Sequence, residues 1–523
     1  MHKLTEEKEN GGQGHKNRSI KINIFWFIVI ILTTIIFSVV ITAISISNNQ
    51  ERAVNVGTDT RTEFAKLYNV YDTLTENYYE DVDKDALIES SIRGMVEGLD
   101  DPYSEYMNID ETGEFEESIT GDFEGIGAEI MQEGNKILIS SPMKGSPAEK
   151  AGLEPGDQIV GVDGESTEGM TTTETVQLIR GEKGTDVTIT IQRGNSSPSD
   201  VTITRDTIHI DSVTYEEVDG VGHISVNRFQ QGTTEEFETH FNKAADDGVK
   251  ELIIDFRYNP GGLLNEAVTL INQFVGPDTN ALYLEDNEGN QQELLTENEK
   301  NPNAEKFDEV YILINEGSAS ASEVFTGALD DLTDVKIAGT TSFGKGVVQR
   351  TSEFKDNSML KYTNTKWLTP NKTWVQDKGI EPDINLITPD HYRIELLSED
   401  EVFSENQEND KVLSIKVALD ALGYDISDFT NKFDANLTNA VSAYQEDQGL
   451  TADGIVTGET TTSLISDIRE LIQEEDAQLN YLVDYINNDR SIMEIEQIAR
   501  NNAQHIPVVE DTENNLEDTE EEE

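Results

Sequence analysis

Residues 315–323 have the sequence NEGSASASE, in which small residues surround three serines just before a segment with helical apolar spacing. That spacing predicts a helix starting near residues 318–320, since apolar side chains recur at Val324, Phe325, Ala328, Leu329 and Leu332. The N-terminus of a helix favours negative charge that develops nearby. The segment therefore suits a serine nucleophile, and on residue type alone Ser318, Ser320 and Ser322 are equal candidates. Small residues that only let a helix pack closely would explain it as well.

Residues 343–349 have the sequence FGKGVVQ, which holds a single lysine between two glycines. Lys345 would be protonated at its ordinary pKa of about 10.4, so it can act as a base only if burial lowers that pKa. A neutral lysine can activate a serine nucleophile. The alternative is a solvated lysine in a glycine turn.

The segment from Gly339 to Lys345 also fits the first seven positions of a phosphate-binding P-loop. The eighth position requires serine or threonine, and it is Gly346 here. A P-loop also opens a helix, whereas residues 347–351 have the pattern of a strand. The match to a P-loop is therefore accidental.

A Ser-His-Asp site is a second enzymatic alternative. No G-x-S-x-G elbow surrounds Ser320, and no histidine lies in either motif. His223 and His240 fall in the same predicted domain, so this alternative stays open but weak.

The spacing of the two segments, and the sequence around them, resemble the carboxyl-terminal processing, or tail-specific, serine peptidases. The resemblance covers about residues 64–390 and includes LDDPYS at residues 99–104 and KGIEPDI at residues 378–384. It implies that Ser320 is the nucleophile, because the family pattern places the nucleophile 25 residues before the lysine, as 320 precedes 345. It further implies that Lys345 is the general base and that Gln349 orients it. No cofactor is implied.

Acyl transfer needs amide donors for the tetrahedral oxyanion. Residues 255–263, DFRYNPGGL, end a predicted strand and bare the backbone at two glycines. The resemblance implies that this loop and the residue after the serine each supply a donor, which gives Gly261 or Gly262 together with Ala321. A plain strand-to-helix turn would also explain the glycines.

Residues 208–398 alternate predicted strands and helices, which indicates an α/β layer fold with ligand sites at the strand ends. Strands are expected at residues 221–226, 251–256, 310–314, 335–338 and 359–367, and helices at residues 234–245, 263–274 and 320–332. The resemblance narrows this domain to the ClpP/crotonase-like fold.

Residues 117–207 change to short predicted strands and glycine turns. PAEKAGLEPGDQIVGVDG, at residues 147–164, resembles a PDZ domain, which implies an inserted, mainly-β domain. Such domains bind a chain terminus at a sheet edge and hold its carboxylate with backbone amides. The expected carboxylate loop is formed by Gly125, Ile126, Gly127 and Ala128. Arg180 either senses a bound carboxylate or is an ordinary solvated arginine.

The N-terminal region predicts a membrane anchor. Residues 24–46 form an uncharged segment that is long enough for a transmembrane helix. Three basic residues, Lys16, Arg18 and Lys21, precede this segment. The positive-inside rule then places residues 1–23 in the cytoplasm and the rest outside the cell membrane. A cleaved signal peptide is the alternative. Residues 47–116 are expected to form a linker and a helical region.

The C-terminal region predicts an all-α module. Residues 408–470 resemble a peptidoglycan-binding domain, although their LGY and DG turns also occur in ordinary helical bundles. A helical extension is expected over residues 471–505. Residues 506–523 are strongly acidic and are expected to be disordered.

Composition excludes several classes of function. The net charge of −65 over 523 residues argues against nucleic-acid binding, and the absence of cysteine excludes disulfides and thiol nucleophiles. Seven scattered histidines make a metal site a poor expectation. We therefore predict a single-pass membrane-anchored serine endopeptidase that acts on proteins with free C-termini and binds peptidoglycan. The family resemblance adds the expectation of a homodimer. The alternative is a catalytically inactive PDZ scaffold at the cell wall.

Overall fold

The computed structural model describes residues 63–488 and 490–506, which fall into two compact units divided between Ser91 and Ile92. The expected cytoplasmic segment, transmembrane helix and most of the acidic tail lie outside the described residues. Across the two described ranges, no helix combines the length and apolar character needed to cross a membrane. The described part begins with helices α1 (Ala65–Asn77) and α2 (Lys84–Glu97).

The α/β core is built on a six-stranded sheet of β10 (Val213–Val218), β11 (Val221–Val226), β12 (Glu251–Asp255), β15 (Glu309–Ile314), β16 (Lys336–Gly339) and β19 (Ile384–Asn385). The strand order is β10-β11-β12-β15-β16-β19, and the strands are parallel except at the β10 edge. Helices α6 (Thr233–Asp247), α7 (Leu264–Ile271) and α8 (Ala321–Leu332) connect them. The strands β11, β12, β15 and β16 and the three helices agree with the predicted elements to within three residues, whereas β10 and β19 were not predicted.

A second sheet of the core has the order β1-β18-β13-β14, with β17 also paired to β18. It comprises β1 (Glu105–Met107), β13 (Asn280–Glu285), β14 (Gln291–Leu295), β17 (Val347–Glu353) and β18 (Met359–Leu368). Because β1 pairs with β18, residues 105–107 belong to the core, whereas the sequence placed them in a separate helical region. Helix α3 (Ile109–Thr120) follows and ends at Gly121.

The PDZ domain leaves and re-enters the core through a two-stranded ribbon, β2 (Asp122–Gly125) paired with β9 (Asp206–His209). Its sheet has the order β3-β4-β5-β7-β8, with β6 on β5. The strands are β3 (Ala128–Glu133), β4 (Lys136–Pro142), β5 (Gln158–Val162), β6 (Glu165–Ser166), β7 (Asp186–Gln192) and β8 (Ser199–Thr204), and the helices are α4 (Pro147–Lys150) and α5 (Thr172–Ile179). Apolar side chains alternate inward along β7, which gives the domain its own core.

The C-terminal module consists of α9 (Asp410–Ala421), α10 (Ala435–Asp447) and α11 (Glu459–Glu474), which surround a separate hydrophobic cluster. Two further helices follow, α12 (Ala477–Asn487) and α13 (Ile492–Asn501). The sequence predicted these two helices as an extension of the module, and that prediction is wrong, because they pack on the large sheet.

The large sheet is covered on both faces, which explains why its strands are continuously apolar. Leu252 and Ile254 of β12 face the cluster formed with α6, α7 and α8, while Ile253 faces the opposite side. That opposite side is covered by Leu479, Leu482, Val483 and Ile495 from α12 and α13. The last two helices therefore complete the α/β core, and the α9–α11 module is inserted before them.

Candidate active site

The three candidate serines have different environments. The Ser318 hydroxyl is fully buried and donates to the carbonyl of Phe256 at 2.8 Å. The Ser322 hydroxyl is also buried and donates to the carbonyl of Asn259 at 3.0 Å. Ser320 is only half-buried, and within the described part of the chain its hydroxyl donates no hydrogen bond. Two of the serines therefore hold the turn through their hydroxyl groups, and the middle one does not.

Ser320 occupies a strained backbone conformation directly before α8. Its φ is 55° and its ψ is −111°, a region that residues with a Cβ rarely adopt. Such strain persists where the surroundings fix it, and it is concentrated at functional sites. The first turn of α8 is completely buried, so its amide dipoles act in a poorly solvated environment.

A buried carboxylate joins the serine segment to the lysine segment. The backbone N–H groups of Ser320 and Lys345 both donate to Glu323 Oε2, each at 2.8 Å. Its other oxygen, Oε1, accepts bonds from the Gly344 N–H and the Ser342 hydroxyl, each at 2.6 Å. Burial raises the pKa of Glu323, and these four bonds oppose that shift. Residues 320 and 345, distant in sequence, are therefore neighbours at one carboxylate.

The environment of Lys345 disfavours its charged form. Burial is the main cause of its lowered pKa, and the nearby Lys361 lowers it further, while Asp101 and Glu323 oppose the shift. The Lys345 ammonium nitrogen lies 4.7 Å from the centre of the Tyr103 ring, an apolar face that still tolerates a cation. Burial therefore shifts the pKa of Lys345 downward, which is the direction that the sequence analysis requires of a lysine base.

Gln349 lies on β17, opposite Thr363 of β18, and its amide donates to the Thr363 hydroxyl at 3.2 Å. Within the described ranges it makes no hydrogen bond to Lys345. Asp101, in the turn before β1, also lies next to Thr363. Burial would raise the pKa of Asp101, but hydrogen bonds from Ser104 and Thr363 lower it below its usual value.

The two glycines of the expected oxyanion loop differ. Gly261 is buried with φ +98°, and a Cβ there would lie 2.8 Å from Ser320 Cβ, so only glycine fits. Its N–H donates to Asn259 Oδ1 at 2.9 Å and is therefore already engaged. Gly262 is exposed, and its N–H has no partner in the described part of the chain. Of the two glycines, only Gly262 therefore has an N–H that is not engaged within the described residues.

Asn259 fixes this loop against the serine turn. Its side-chain amide donates to the carbonyl of Val226 at 2.7 Å, and its own carbonyl accepts the Ala319 N–H at 3.0 Å. It is completely buried. The loop and the nucleophile turn are therefore held together through one side chain and one peptide group.

The expected carboxylate loop of the PDZ domain, Gly125–Ala128, joins β2 to β3. Gly127 has φ +71°, and a Cβ there would meet Ser146 Cβ at 2.5 Å. The N–H groups of Ile126 and Gly127 have no partner among the residues described. Arg180 ends α5, but its guanidinium donates to Glu117 of α3 at 2.6 Å instead of entering this loop.

The histidines do not form a catalytic triad in the described ranges. His223 contacts Asp255 and Glu216, each at 3.1 Å, and no serine. Near the PDZ ribbon, His209, Asp211 and Glu236 place possible metal ligands within 4.8 Å of one another. Both nitrogens of His209 are already bonded there, to Asp122 and Glu236. The P-loop alternative is also wrong structurally, because β17 follows Lys345 directly.

Models of four protein families match the chain. They are peptidase family S41 at residues 220–386, a PDZ domain at residues 138–193, the N-terminal domain of the activating protease CtpB at residues 37–112, and a putative peptidoglycan binding domain at residues 408–464. A probable CtpA-like serine protease of Staphylococcus epidermidis is 40% identical over 483 residues, covering 92% of this chain and 98% of that protein. Its counterpart in Staphylococcus haemolyticus is 40% identical with the same coverage of both chains.

Two solved structures are also similar. The photosystem II D1 C-terminal processing protease is 26% identical with a TM-score of 0.38, covering 63% of this chain and 94% of that one. The PDZ domain of a carboxy-terminal protease from Vibrio cholerae, in complex with a peptide, is 34% identical with a TM-score of 0.16, covering 17% and 99%. The family and sequence matches define a serine peptidase with a PDZ domain. The chain belongs to peptidase family S41, among the carboxyl-terminal processing peptidases that its CtpA-like relatives represent.

Four residues of the site were given no role by the sequence. Glu323 stands three residues after Ser320, the spacing of a helix capping box, and that spacing was the available signal. Asp101 and Tyr103 lie within the LDDPYS segment, which resemblance alone had marked. Asn259 had no distinguishing signal, since an asparagine before Pro-Gly-Gly is ordinary in a turn.

Proposed function

We propose that the chain is an endopeptidase in which Ser320 is the nucleophile and Lys345 the general base. The observation that carries the proposal is the shared Glu323 carboxylate. It accepts the backbone N–H groups of both Ser320 and Lys345. The hydroxyls of Ser318 and Ser322 are instead bonded to backbone carbonyls. The lowered pKa of Lys345 supports its role, because only the neutral amine accepts a proton.

In this mechanism the Lys345 amine takes the proton of the Ser320 hydroxyl as its oxygen attacks the scissile carbonyl. The amides of Ala321 and Gly262 stabilise the oxyanion, and the resulting ammonium protonates the leaving amine. Water then releases the acyl-enzyme with the same lysine as base. Gln349 and Thr363 form a polar pair on the adjacent strands, and Gln349 would orient Lys345 on substrate binding.

The test is cleavage of an unstructured protein together with labelling by a serine-reactive fluorophosphonate. Wild-type protein should cut the substrate and be labelled at Ser320, as mapped by mass spectrometry, and Ser320→Ala should do neither. Thermal unfolding of both proteins controls for folding. An inactive, unlabelled wild type that still binds peptides through its PDZ domain would favour the inactive scaffold.

We also propose that the PDZ domain selects substrates by their free C-terminus. The unpartnered amides of Ile126 and Gly127, at the start of the edge strand β3, are suitable donors for a carboxylate. Arg180, now bonded to Glu117, would exchange that partner for the substrate carboxylate.

We further propose that residues 24–46 anchor the protein in the cell membrane, that the catalytic part faces outward, and that residues 408–470 bind peptidoglycan. The match to a peptidoglycan-binding model and the distribution of charges around residues 24–46 support this arrangement. A homodimer stays a prediction. Sedimentation of the protein with membranes, and with purified cell wall, tests the two attachments separately.

A further inference from the structure

The loop that carries Gly262 is fixed from two directions. On the side of the nucleophile, Asn259 and Asn315 hold it, the latter by accepting the Tyr258 N–H at 2.9 Å. On the other side, Arg257 begins the loop, and its guanidinium bonds within the described residues only to Asp255 and Asp476. Tyr258, between these two anchors, has φ +58°. A loop with a strained residue needs both anchors to keep its shape.

The Arg257 guanidinium is held between two carboxylates. Its Nη2 lies 2.6 Å from Asp255 Oδ2, and its Nη1 lies 2.6 Å from Asp476 Oδ1. A second bond, from Nη2 to Asp476 Oδ2, makes the contact with Asp476 bidentate. Only 10% of the Arg257 side chain and 5% of the Asp255 side chain are exposed. Bidentate pairs of this kind fix orientation as well as charge.

Asp476 comes from the far end of the chain, beyond the α9–α11 module. It is the N-cap of α12, where its Oδ1 accepts the Leu479 N–H at 3.1 Å. Beside it, the Gln478 amide donates to the carbonyl of Leu386 at 2.8 Å, and Leu479 and Leu482 pack on the large sheet. Asp476 is thus held in place by the core itself.

We propose that Asp476 is a positioning residue for the oxyanion loop and acts through Arg257. This inference rests on the proposed peptidase function. Asp476 touches no reacting group; it fixes the guanidinium, which fixes the start of the loop that presents the Gly262 amide. Misplacing a catalytic group by about 1 Å can cost on the order of 100-fold in rate, so a loosened anchor should be measurable.

The test compares three variants of the full chain. Asp476→Asn removes the charge that Arg257 needs but keeps a good helix N-cap, so α12 should still form. Asp476→Glu keeps the charge but displaces it by one methylene. Asp484→Asn is the matched control, since Asp484 lies on the same helix and pairs with Arg490 away from the loop.

An oxyanion donor acts in the transition state and not in substrate binding, so kcat and not KM should respond. We expect Asp476→Asn to lower kcat by about 10-fold or more with KM within about twofold, because complete loss of one donor costs about 100- to 1,000-fold. Asp476→Glu should recover part of that loss, and Asp484→Asn should match the wild type. The rate of fluorophosphonate labelling should fall in parallel with kcat.

Several outcomes would overturn the inference. One is an unchanged kcat in a folded Asp476→Asn protein; another is an equal loss in Asp484→Asn, which would indicate a general effect of the helix. If Asp476→Asn does not fold, Asp476→Glu decides, and a wild-type kcat in that variant counts against the inference. A wild type that neither cuts nor labels refutes the proposed function instead, so the two failures are distinguishable.

Discussion

At the scale of single residues, the position of Lys345 sets the pH at which the proposed base works. Burial and Lys361 lower its pKa, so the fraction of neutral amine, and with it kcat/KM, should rise with pH through that lowered pKa. Replacing Lys361 with Met removes a cation that disfavours the charged amine. The pKa of Lys345 then rises, and the rising limb of the kcat/KM profile should move to higher pH.

The control for this shift is Lys366→Met. Lys366 lies on the same strand but pairs with Glu285 and is not among the main causes of the lowered pKa of Lys345. Its profile should overlay that of the wild type. If the Lys361→Met limb stays in place or moves to lower pH, Lys345 is not the group that titrates.

The second residue-scale prediction concerns Glu323, which accepts four hydrogen bonds in a buried place. In Glu323→Gln an N–H₂ group replaces one of the accepting oxygens, so two donors lose their partner. Each unsatisfied buried group costs about 1–3 kcal/mol, and the two catalytic segments are no longer held together. Cleavage should fall by about 100-fold or more, with a lower midpoint of thermal unfolding.

Glu316→Gln is the matched control, because Glu316 is exposed on the same loop and bonds only to Thr340 within the described ranges. Its activity and stability should be close to those of the wild type. Full activity in Glu323→Gln would show that the shared carboxylate is dispensable.

At the scale of elements, the strands and helices of the core were predictable because their apolar patterns are strong and local. The strand Val221–Val226 and the helix that ends at Leu332 match their predicted bounds to within one residue. The place of β1 was not predictable, since a three-residue strand is defined by its partner β18 and not by its own sequence. The same holds for α12 and α13, whose amphipathic pattern says that they pack but not against what.

For the candidate site too, local sequence could be interpreted in advance, whereas contacts with distant residues could not. Residue types and family resemblance singled out Ser320, Lys345 and the glycine loop. The choice of Gly262 over Gly261 could not be made in this way, because it depends on the Asn259 side chain that occupies the Gly261 amide. The partner of Arg180, Glu117, lies on a helix 63 residues away in sequence and carried no signal.

An element-scale prediction concerns the PDZ domain. Peptides with a free C-terminal carboxylate should be cut faster than the same peptides with an amidated terminus, since charged hydrogen bonds to amides are the stronger ones. Arg180→Ala should reduce this preference while leaving thermal unfolding nearly unchanged, because its ion pair with Glu117 is exposed. The measurement is kcat/KM for both peptides.

Lys183→Ala is the control in the PDZ domain, because Lys183 pairs with Asp206 on the ribbon and lies in another exposed ion pair. It should keep the preference of the wild type. Equal cleavage of both peptides by all proteins would mean that the domain does not select free C-termini.

At the scale of the whole molecule, we expect the α9–α11 module to be removable and the helices after it to be required, because the module has its own hydrophobic cluster and the helices share that of the large sheet. The Tyr392 hydroxyl bonds the carbonyl of Glu475, so the chain enters and leaves the module at nearby points. A short glycine-serine linker in place of residues 397–472 should preserve cleavage of an unstructured protein but abolish sedimentation with purified cell wall. Undiminished sedimentation would contradict the wall-binding assignment.

Truncation after residue 475 should have the opposite effect. It uncovers Val221, Ile253 and Leu313 on the outer face of the large sheet and removes Asp476. Each large apolar side chain returned to water costs about 1.5–3 kcal/mol, so the three together cost an amount comparable to the whole stability of a typical domain. The truncated protein should be insoluble or rapidly degraded, as judged by soluble yield and limited proteolysis. A soluble, active product would show that the last helices are not part of the core.

The late position of these helices also bears on the biogenesis of the enzyme. Under the proposed topology residues 1–23 stay in the cytoplasm, and the chain after the anchor is exported in sequence order. The serine and lysine segments then emerge well before the residues that cover the sheet. A nascent or prematurely terminated chain then carries every proposed reacting group without the scaffold that sets them in place. Under this topology, export of the last residues would be the step at which α12 and α13 cover the sheet and Asp476 meets Arg257.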